Sequence, residues 1–450
     1  MIGKKKLLAT LNKVLGKSKA DETEIVFSGN ESGLTRYANS EIHQNVFEKN
    51  SKILFKSVIG KKIGVASTNS LVMSDLIKTM NDSFEIAVNQ PENPGYPGLA
   101  GPAKYKTINT YNEKTAKFTP NDRAKIVKKM IAISDKKKFD LAGAFSTSSG
   151  ELAVVNSKGV KAYQKFTTAT VNLIAMSDTS SGYAAGTARK VSDLNFVKLA
   201  NRAVEKCDVS QNPISIEPGT YEVILEPEAF AALLEWMNYI GFGSKAFDQK
   251  TSFLAGKVGK KVTSEMITIV DDALDTTSIA FPFDFEGVPK KRVPIIQKGV
   301  VKGVVYDRMA GKKAKRKSTG HGLTPDQSNE GAIPLNLVIS GGKAKRDKMI
   351  EKVKKGILIT RFHYINGFID TPNAVLTGMT RDGTFLIKNG KIVGGIKNLR
   401  FTDRMLDSFK TAVAVSKERD LVASWWSAVG CTKAPTIHLK KFKFTGKTEF

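Results

Sequence analysis

The sequence predicts an α+β protein of two domains, and three observations carry that expectation. The chain has 450 residues, more than one hydrophobic core ordinarily organises. Its first half mixes helical apolar spacing with runs of alternating residues, whereas its second half is dominated by strands and turns with only two helical inserts. Between them QNPISIEPGTYEVIL reads as a hinge, which places the domains at residues 1–212 and 213–450.

Residues 5–18 have the apolar spacing of an amphipathic helix. The basic start MIGKKK returns to lysine before any leader-like apolar core forms, so this end reads as the first helix of a cytoplasmic protein. From about 22 to 66, EIVFSG, LTRYANS, IHQNVFEK and SKILFKSVIGKKIGVAS read as a series of short strands. SLVMSDLIKTMNDSFEIAVNQ, residues 70–90, reads as a helix started by Ser70. The proline- and glycine-dense PENPGYPGLAGPAKY reads as an irregular crossing. TPNDRAKIVKKMIAISDKKK then opens a helix with Thr119 as cap and Pro120 in the first turn.

Three strands are expected within residues 141–177, with SSGE and NSKGV as turns, and VSDLNFVKLANRAVEKCDVS closes the half as a helix. In the second half, strands are expected in KVTSEMITIVDD, RVPIIQKGVVKGVVYD, AIPLNLVISGG, GILITRFHYING, AVLTGMTRDGTFLIKNGKIVGG and TIHLKKFKFTG. KNGK, residues 388–391, is a two-residue hairpin signal because Asn389 and Gly390 tolerate positive φ. Helices are expected at about 227–240 and 343–355, and no fixed-period repeat is visible.

Composition bounds the function. Seventy Lys and Arg against 43 Asp and Glu give a formal charge of +27, a field that attracts nucleic acid or acidic partners. The lysines are spread along the chain, however, and the densest stretch, GKKAKRKSTGHG, lacks the interleaved aromatics of a single-strand binding surface. No apolar run approaches the roughly 20 residues that span a bilayer. The two cysteines, Cys207 and Cys431, lie far apart and carry no disulfide or metal spacing.

Several separated pieces, TRYANSEIHQNV, SFLAGKVGKKV followed by ITIVDD, DFEGVPKKRVPIIQKGVVKGVVYDRMAG, STGHG and TGMTRDGTFLIKNGKI, run in the order of one family. Over nearly its whole length the chain resembles the TldD/PmbA family of metallopeptidase-related proteins, whose PmbA branch is also called TldE. The resemblance implies an N-terminal sheet-and-helix domain and a C-terminal domain dominated by a curved, barrel-like antiparallel sheet. It also implies a two-subunit protease in which a TldD-like chain carries zinc on an H-E-x-x-x-H helix. There two imidazoles and a third ligand hold the ion, and the glutamate deprotonates the attacking water.

The matching segment here is LEWMNY: Leu234, Glu235, Trp236, Met237, Asn238 and Tyr239. Leu234 and Tyr239 stand where the two histidines belong, and only Glu235 is retained, as a degenerate motif position. Residues five apart on a helix are rotated by about 140°, so even the family's spacing needs a helix end or distortion at the second ligand. The chain therefore resembles the TldE/PmbA-like branch. No zinc is expected in it, the metal being expected in a TldD-like partner or the assembly being built on a second copy, with unfolded or precursor peptides as substrates. A glutamate on a helix flank is ordinarily solvated, and His43, His321, His363 and His438 have no metal-site spacing with Cys431.

Substrate or interface candidates are the polar residues of the family's pieces. Arg36, Asn39, His43 and Gln44 crowd one expected hairpin and would line an inter-domain or inter-subunit wall of the peptide chamber. Thr377, Thr380, Arg381 and Asp382 lie near a strand and a turn whose geometry Asp382 and Gly383 would set. His321 lies in the glycine-rich STGHG, for which a surface loop is the plainer account. Two other functions stay open: a basic nucleic-acid-associated protein, in line with the family's association with modulation of DNA gyrase, and a stand-alone hydrolase. Neither a DNA- or RNA-binding signature nor a nucleophile elbow is present to favour them.

Overall fold

The structure, a computed structural model, describes every residue except 425, 426, 428, 449 and 450. Its first sheet contains β1 (Glu22–Ala38), β2 (Glu41–Ile59), β3 (Lys62–Thr68), β4 (Asp140–Asn156), β5 (Lys161–Met176) and β6 (Ser181–Ala188). The order is β3-β2-β1-β4-β5-β6, and every ladder is antiparallel. Helices α1 (Lys4–Leu15), α2 (Met73–Asn89), α3 (Glu113–Ala116), α4 (Pro120–Asp135) and α5 (Phe196–Val209) accompany it. Leu7, Leu11, Leu76 and Met80 of α1 and α2 bury Ile25, Phe27 and Phe55 at one end of a face. Val127, Met130 and Ala203 of α4 and α5 bury Tyr37, Phe145 and Val171 at the other.

The expected short strands are in fact long ones. EIVFSG and LTRYANS are one strand of 17 residues, because the glycines that look like breaks are needed inside the sheet. A Cβ on Gly29 would stand 2.7 Å from the Phe27 ring, and one on Gly33 would stand 2.5 Å from the guanidinium of buried Arg123. SSGE likewise lies within β4, so the first two strands expected there are one; the third is β5, and β6, beyond residue 177, lies outside the expected strands. The second helix begins at Met73 and not at Ser70, which stays outside it, accepting from Val72 N–H and donating to Asp75. Thr119 and Asp122 form a full capping box at α4, as that sequence requires.

The second sheet has eleven strands: β7 (Gly219–Leu225), β8 (Ile269–Asp271), β9 (Val293–Gln297), β10 (Val300–Val301), β11 (Asn336–Ile339), β12 (Lys355–Asp370), β13 (Val375–Lys388), β14 (Lys391–Gly395), β15 (Leu399–Arg404), β16 (Ala412–Ala423) and β17 (Cys431–Lys447). Strands β7, β12, β13, β15 and β17 close a ring, since β7 pairs with both β12 and β17. The ladders are antiparallel apart from β7 with β12 and β11 with β17, which are parallel. The segment read as a hinge thus holds a ring strand, β7. Asn389 and Gly390 take φ of 47° and 76° in the expected hairpin. The helix expected at 343–355 shrinks to Arg346–Ile350, because Lys355 already belongs to β12.

Helix α6 (Pro227–Gly241) fills the ring. Pro227 starts it, and Phe230, Leu233, Leu234 and Met237 are fully buried against ring residues such as Ile359, Leu376, Phe401 and Ile437. The sequence shows an amphipathic stripe, but enclosure by the ring buries Glu228, Glu235 and Asn238 as well. On the other face of the first sheet, Phe281 and Phe283, from the segment between β8 and β9, pack on Val26, Leu54 and Val154 and tie the C-terminal half to it. Among the described residues no helix is long and apolar enough to cross a membrane.

Candidate functional site

The residues of α6 do not fit zinc. Leu234 points into the ring core, whereas Tyr239 is 37% exposed and donates its hydroxyl to Glu330 at 3.2 Å. The helix runs regularly through both positions, so the rotation of about 140° between them is kept. One step along, Glu235 and Ile240 offer no imidazole either. Glu235 is 5% exposed, so the expectation of a solvated helix flank is overturned by the ring around it. Among the described residues no three His, Cys, Asp or Glu side chains converge as a metal site.

The aromatic end of α6 meets a distorted strand. Trp236 and Tyr239 stand edge-on to Phe368, with ring centres 5.5 and 5.8 Å apart. The β12 to β13 register slips twice between His363 and Asp370, and Tyr364 takes φ of 49°. A bulky side chain rarely adopts that conformation, and bulges of this kind re-aim side chains. Here they leave Tyr364 77% and Phe368 60% exposed. His363 lies against Tyr364, and burial, then Arg381 and Arg361, hold its pKa below the usual value. Beyond Ile359 no described strand pairs with the β7-facing edge of β12.

The TRDGT piece is a bulge in β13, not a loop turn. The ladder places Thr384 opposite Ile359 and Arg381 opposite Arg361, so that Asp382 and Gly383, with φ of 50° and 123°, together oppose the single residue Thr360. Asp382, 8% exposed, accepts from Arg361 Nε at 2.8 Å and from Ser181 at 2.8 Å across the two sheets. Arg361 also stacks on Tyr183, 4.3 Å from its ring centre. Thr380 is fully buried and accepts from Leu399 N–H, which makes it a brace for the neighbouring strand, and Thr377 donates to Phe401 C=O. Arg381 is left half-exposed at the mouth of a cleft of about 630 Å³, with Ser181, Ser210, Asn212, Asp382 and Lys397 among its walls.

His321 is not on a surface loop. It is 1% exposed, bonded through Nε2 to Asp271 at 2.7 Å and through Nδ1 to Thr319 at 2.9 Å. Burial holds its pKa below the usual value against the pull of Asp271, and Asp271 itself sits low, its burial outweighed by His321, Lys290 and the Asn336 N–H. The hydroxyl, imidazole and carboxylate stand in the order of a hydrolase triad. Yet Thr319 Oγ1 already donates to Tyr306 C=O and accepts from Tyr306 N–H, so it braces the loop instead of being free to attack. The glycines that suggest mobility allow close approach: a Cβ on Gly320 would lie 2.5 Å from Pro289 C=O.

Arg36, Asn39, His43 and Gln44 do come together, at the tip of the β1 to β2 hairpin. Asn39 and Ser40 form its two-residue turn with φ of 50° and 58°; Arg36 faces Gln44, and a register slip makes His43 the extra residue. All four are exposed. The tip lies at the same end of the sheet as Ser181, three strands away, a separation of roughly 15 Å at ordinary strand spacing. His321 and α6 belong to the other sheet's surroundings, so the sequence candidates form several clusters and not one site.

Two groups escaped the sequence. Arg361 becomes the partner of Asp382 only through strand register. Glu226, fully buried, receives Lys206 at 2.5 Å, Arg346 at 2.9 Å and Arg202 at 3.1 Å, joining α5 to the start of α6. Burial opposes its charge, but those three cations hold it well below the usual carboxylate range. Burial in the same cluster pulls Lys206 down to about 8. No spacing rule links residues on such distant elements.

Comparison with known proteins follows the same lines. The model of the PmbA/TldA metallopeptidase C-terminal domain matches residues 218–446, and that of the central domain matches residues 113–208. An uncharacterized protein of Methanocaldococcus jannaschii is 26% identical over 79% of this chain and 82% of its own. A metalloprotease TldD homolog of Buchnera aphidicola is 33% identical over 40% of this chain and 37% of its own. The crystal structure of TldE from Thermococcus kodakarensis matches with a TM-score of 0.88 over 97% of this chain and 100% of that one, at 22% identity, a likeness of fold.

Proposed function

Because this chain belongs to the PmbA/TldA metallopeptidase family, we propose that it is the TldE/PmbA-like subunit of a cytoplasmic TldD/TldE-type metalloprotease that cleaves unfolded peptides or processes precursor peptides. One observation carries the reading: the helix that would hold zinc offers leucine and tyrosine at the ligand positions, the first buried in the ring core and the second turned out toward Glu330, on a regular α6. The metal would come from a TldD-like chain. This chain supplies a wall of the chamber, and its β12 edge, open beyond Ile359 and dressed with Tyr364 and Phe368, suits the backbone pairing by which a peptide of loose sequence is gripped. The test is to purify the chain alone and with a TldD-like partner, then measure peptide cleavage and bound zinc. Cleavage and stoichiometric zinc are expected only with the partner present. Zinc-dependent proteolysis by the lone chain overturns the reading.

A further inference from the structure

Two clefts at the seam between the sheets differ in charge, and the difference identifies a ligand class. Around Glu226 a cleft of about 560 Å³ has Arg202, Lys206 and Arg346 in its wall, but all three already bond Glu226, and Arg202 also reaches Glu228 and Asp420. Charge there is matched internally, as in a tie between domains. Among the described residues, the cleft of about 630 Å³ at the Asp382 bulge has one carboxylate in its wall, Asp382, and Arg361 takes it. Arg381 lies directly opposite Arg361 across the ladder, a placement that like charges disfavour, and its own ion pair with Asp382 is stretched to 4.0 Å. Lys397 adds a second cation, and serine, threonine and asparagine side chains make up most of the remaining wall. Among the described residues the cations at this cleft outnumber its carboxylate, a balance that suits an oxyanion in a hydroxyl- and amide-lined wall, and Arg presents its donors in the fork that fits a carboxylate.

We propose that this cleft is an anion subsite that takes a peptide carboxylate, with Arg381 and Lys397 as its cationic edge. It rests on the reading of the chain as part of a peptidase. The carboxylate is either the peptide's C-terminus or an acidic side chain, which arrives at the same donors. Arg381 is the outer, more distant partner of Asp382, so replacing it leaves the closer Arg361 to Asp382 pair in place.

The test uses the full chain and three fluorescent hexapeptides of otherwise equal sequence: a free C-terminal acid without acidic residues, its amide, and the amide carrying one glutamate. Binding is measured by anisotropy for the wild type, Arg381→Gln and Lys397→Met, with circular dichroism confirming that each variant is folded. Tighter binding of the free acid, weakened about tenfold by Arg381→Gln, supports the subsite with a C-terminal source. The same pattern for the glutamate peptide alone supports it with a side-chain source. Equal binding of all three peptides, or acid-selective binding that Arg381→Gln leaves intact, overturns it, as does displacement by inorganic phosphate at concentrations where acetate has no effect. If Arg381-dependent carboxylate binding persists while the complex with a TldD-like chain neither forms nor cleaves, the peptidase reading fails and the subsite stands.

Discussion

Asp382 shows how a single residue can be legible in conformation and hidden in role. The Arg-Asp-Gly sequence demands positive φ, and both Asp382 and Gly383 adopt it. A turn and a β-bulge make the same demand, so the sequence cannot separate them. What decides is the partner, and Arg361 reaches Asp382 only because β12 pairs with β13 in one register. Asp382→Asn should cost about 2 kcal/mol, less than the 3–5 kcal/mol of a fully buried pair because Arg361 keeps some solvent contact. Urea denaturation measures it. Unchanged stability would mean that water replaces the carboxylate fully and that the bulge, not the ion pair, holds the seam. His321 is the opposite case: its glycine-rich surrounding reads as a surface loop, but Gly320 packs tightly against Pro289 and Gly322 against Glu286, and the ring is buried.

At the scale of elements, helices with local signals were readable, and those set by distant pairing were not. Thr119, Pro120 and Asp122 announce α4 within a few residues. The apolar stripe of α6 is equally visible, but its enclosure depends on β7 meeting β17, strands from opposite ends of the C-terminal half, and that closure buries Glu235 too. Strand length failed for a related reason: Gly29, Gly33 and Gly150 look like breaks until the side chains of Phe27, Arg123 and Phe166 occupy the space above them. Helix geometry also makes the missing zinc ligands more than a matter of residue identity. Installing histidine at both positions, Leu234→His with Tyr239→His, should not create a zinc site, because one imidazole enters the ring core and the other faces Glu330. The expected outcome is a lowered Tm, with about 3 kcal/mol lost at Leu234 and less than a tenth of an equivalent of bound zinc. Tight stoichiometric zinc would show that α6 unwinds at its end, and would reopen catalysis by this chain.

Across the whole molecule, the two sheets are joined by charge as much as by apolar contact. Phe281 and Phe283 pack on the first sheet, Tyr105 donates to Gly287 C=O, and Arg308 donates to Gly98 and Leu99 C=O. Into this seam the DFEG piece brings two carboxyl groups. Asp284 is 2% exposed and caps backbone N–H groups of Glu286, Val288 and Gly322, while Glu286 accepts from Arg308 N–H. Burial first, then the neighbouring Asp284, push Glu286 up to about 8, and burial pushes Asp284 up to about 6. A carboxyl whose folded pKa lies above its unfolded value favours the folded state most when both states are protonated. For Glu286 that contribution is complete below about pH 4.5 and is lost as pH rises toward 8, by at most about 1.4 kcal/mol per pH unit. Glu286→Gln keeps an acceptor for Arg308 and removes the titration. Thermal unfolding at pH 5, 6.5 and 8 should find the variant close to wild type at pH 5 and more stable than wild type at pH 8. The slope that remains, up to about pH 6, would belong to Asp284. A variant destabilised equally at all three pH values would show instead that Glu286 acts through packing against Gly322, which a Cβ at that glycine would contact at 2.5 Å.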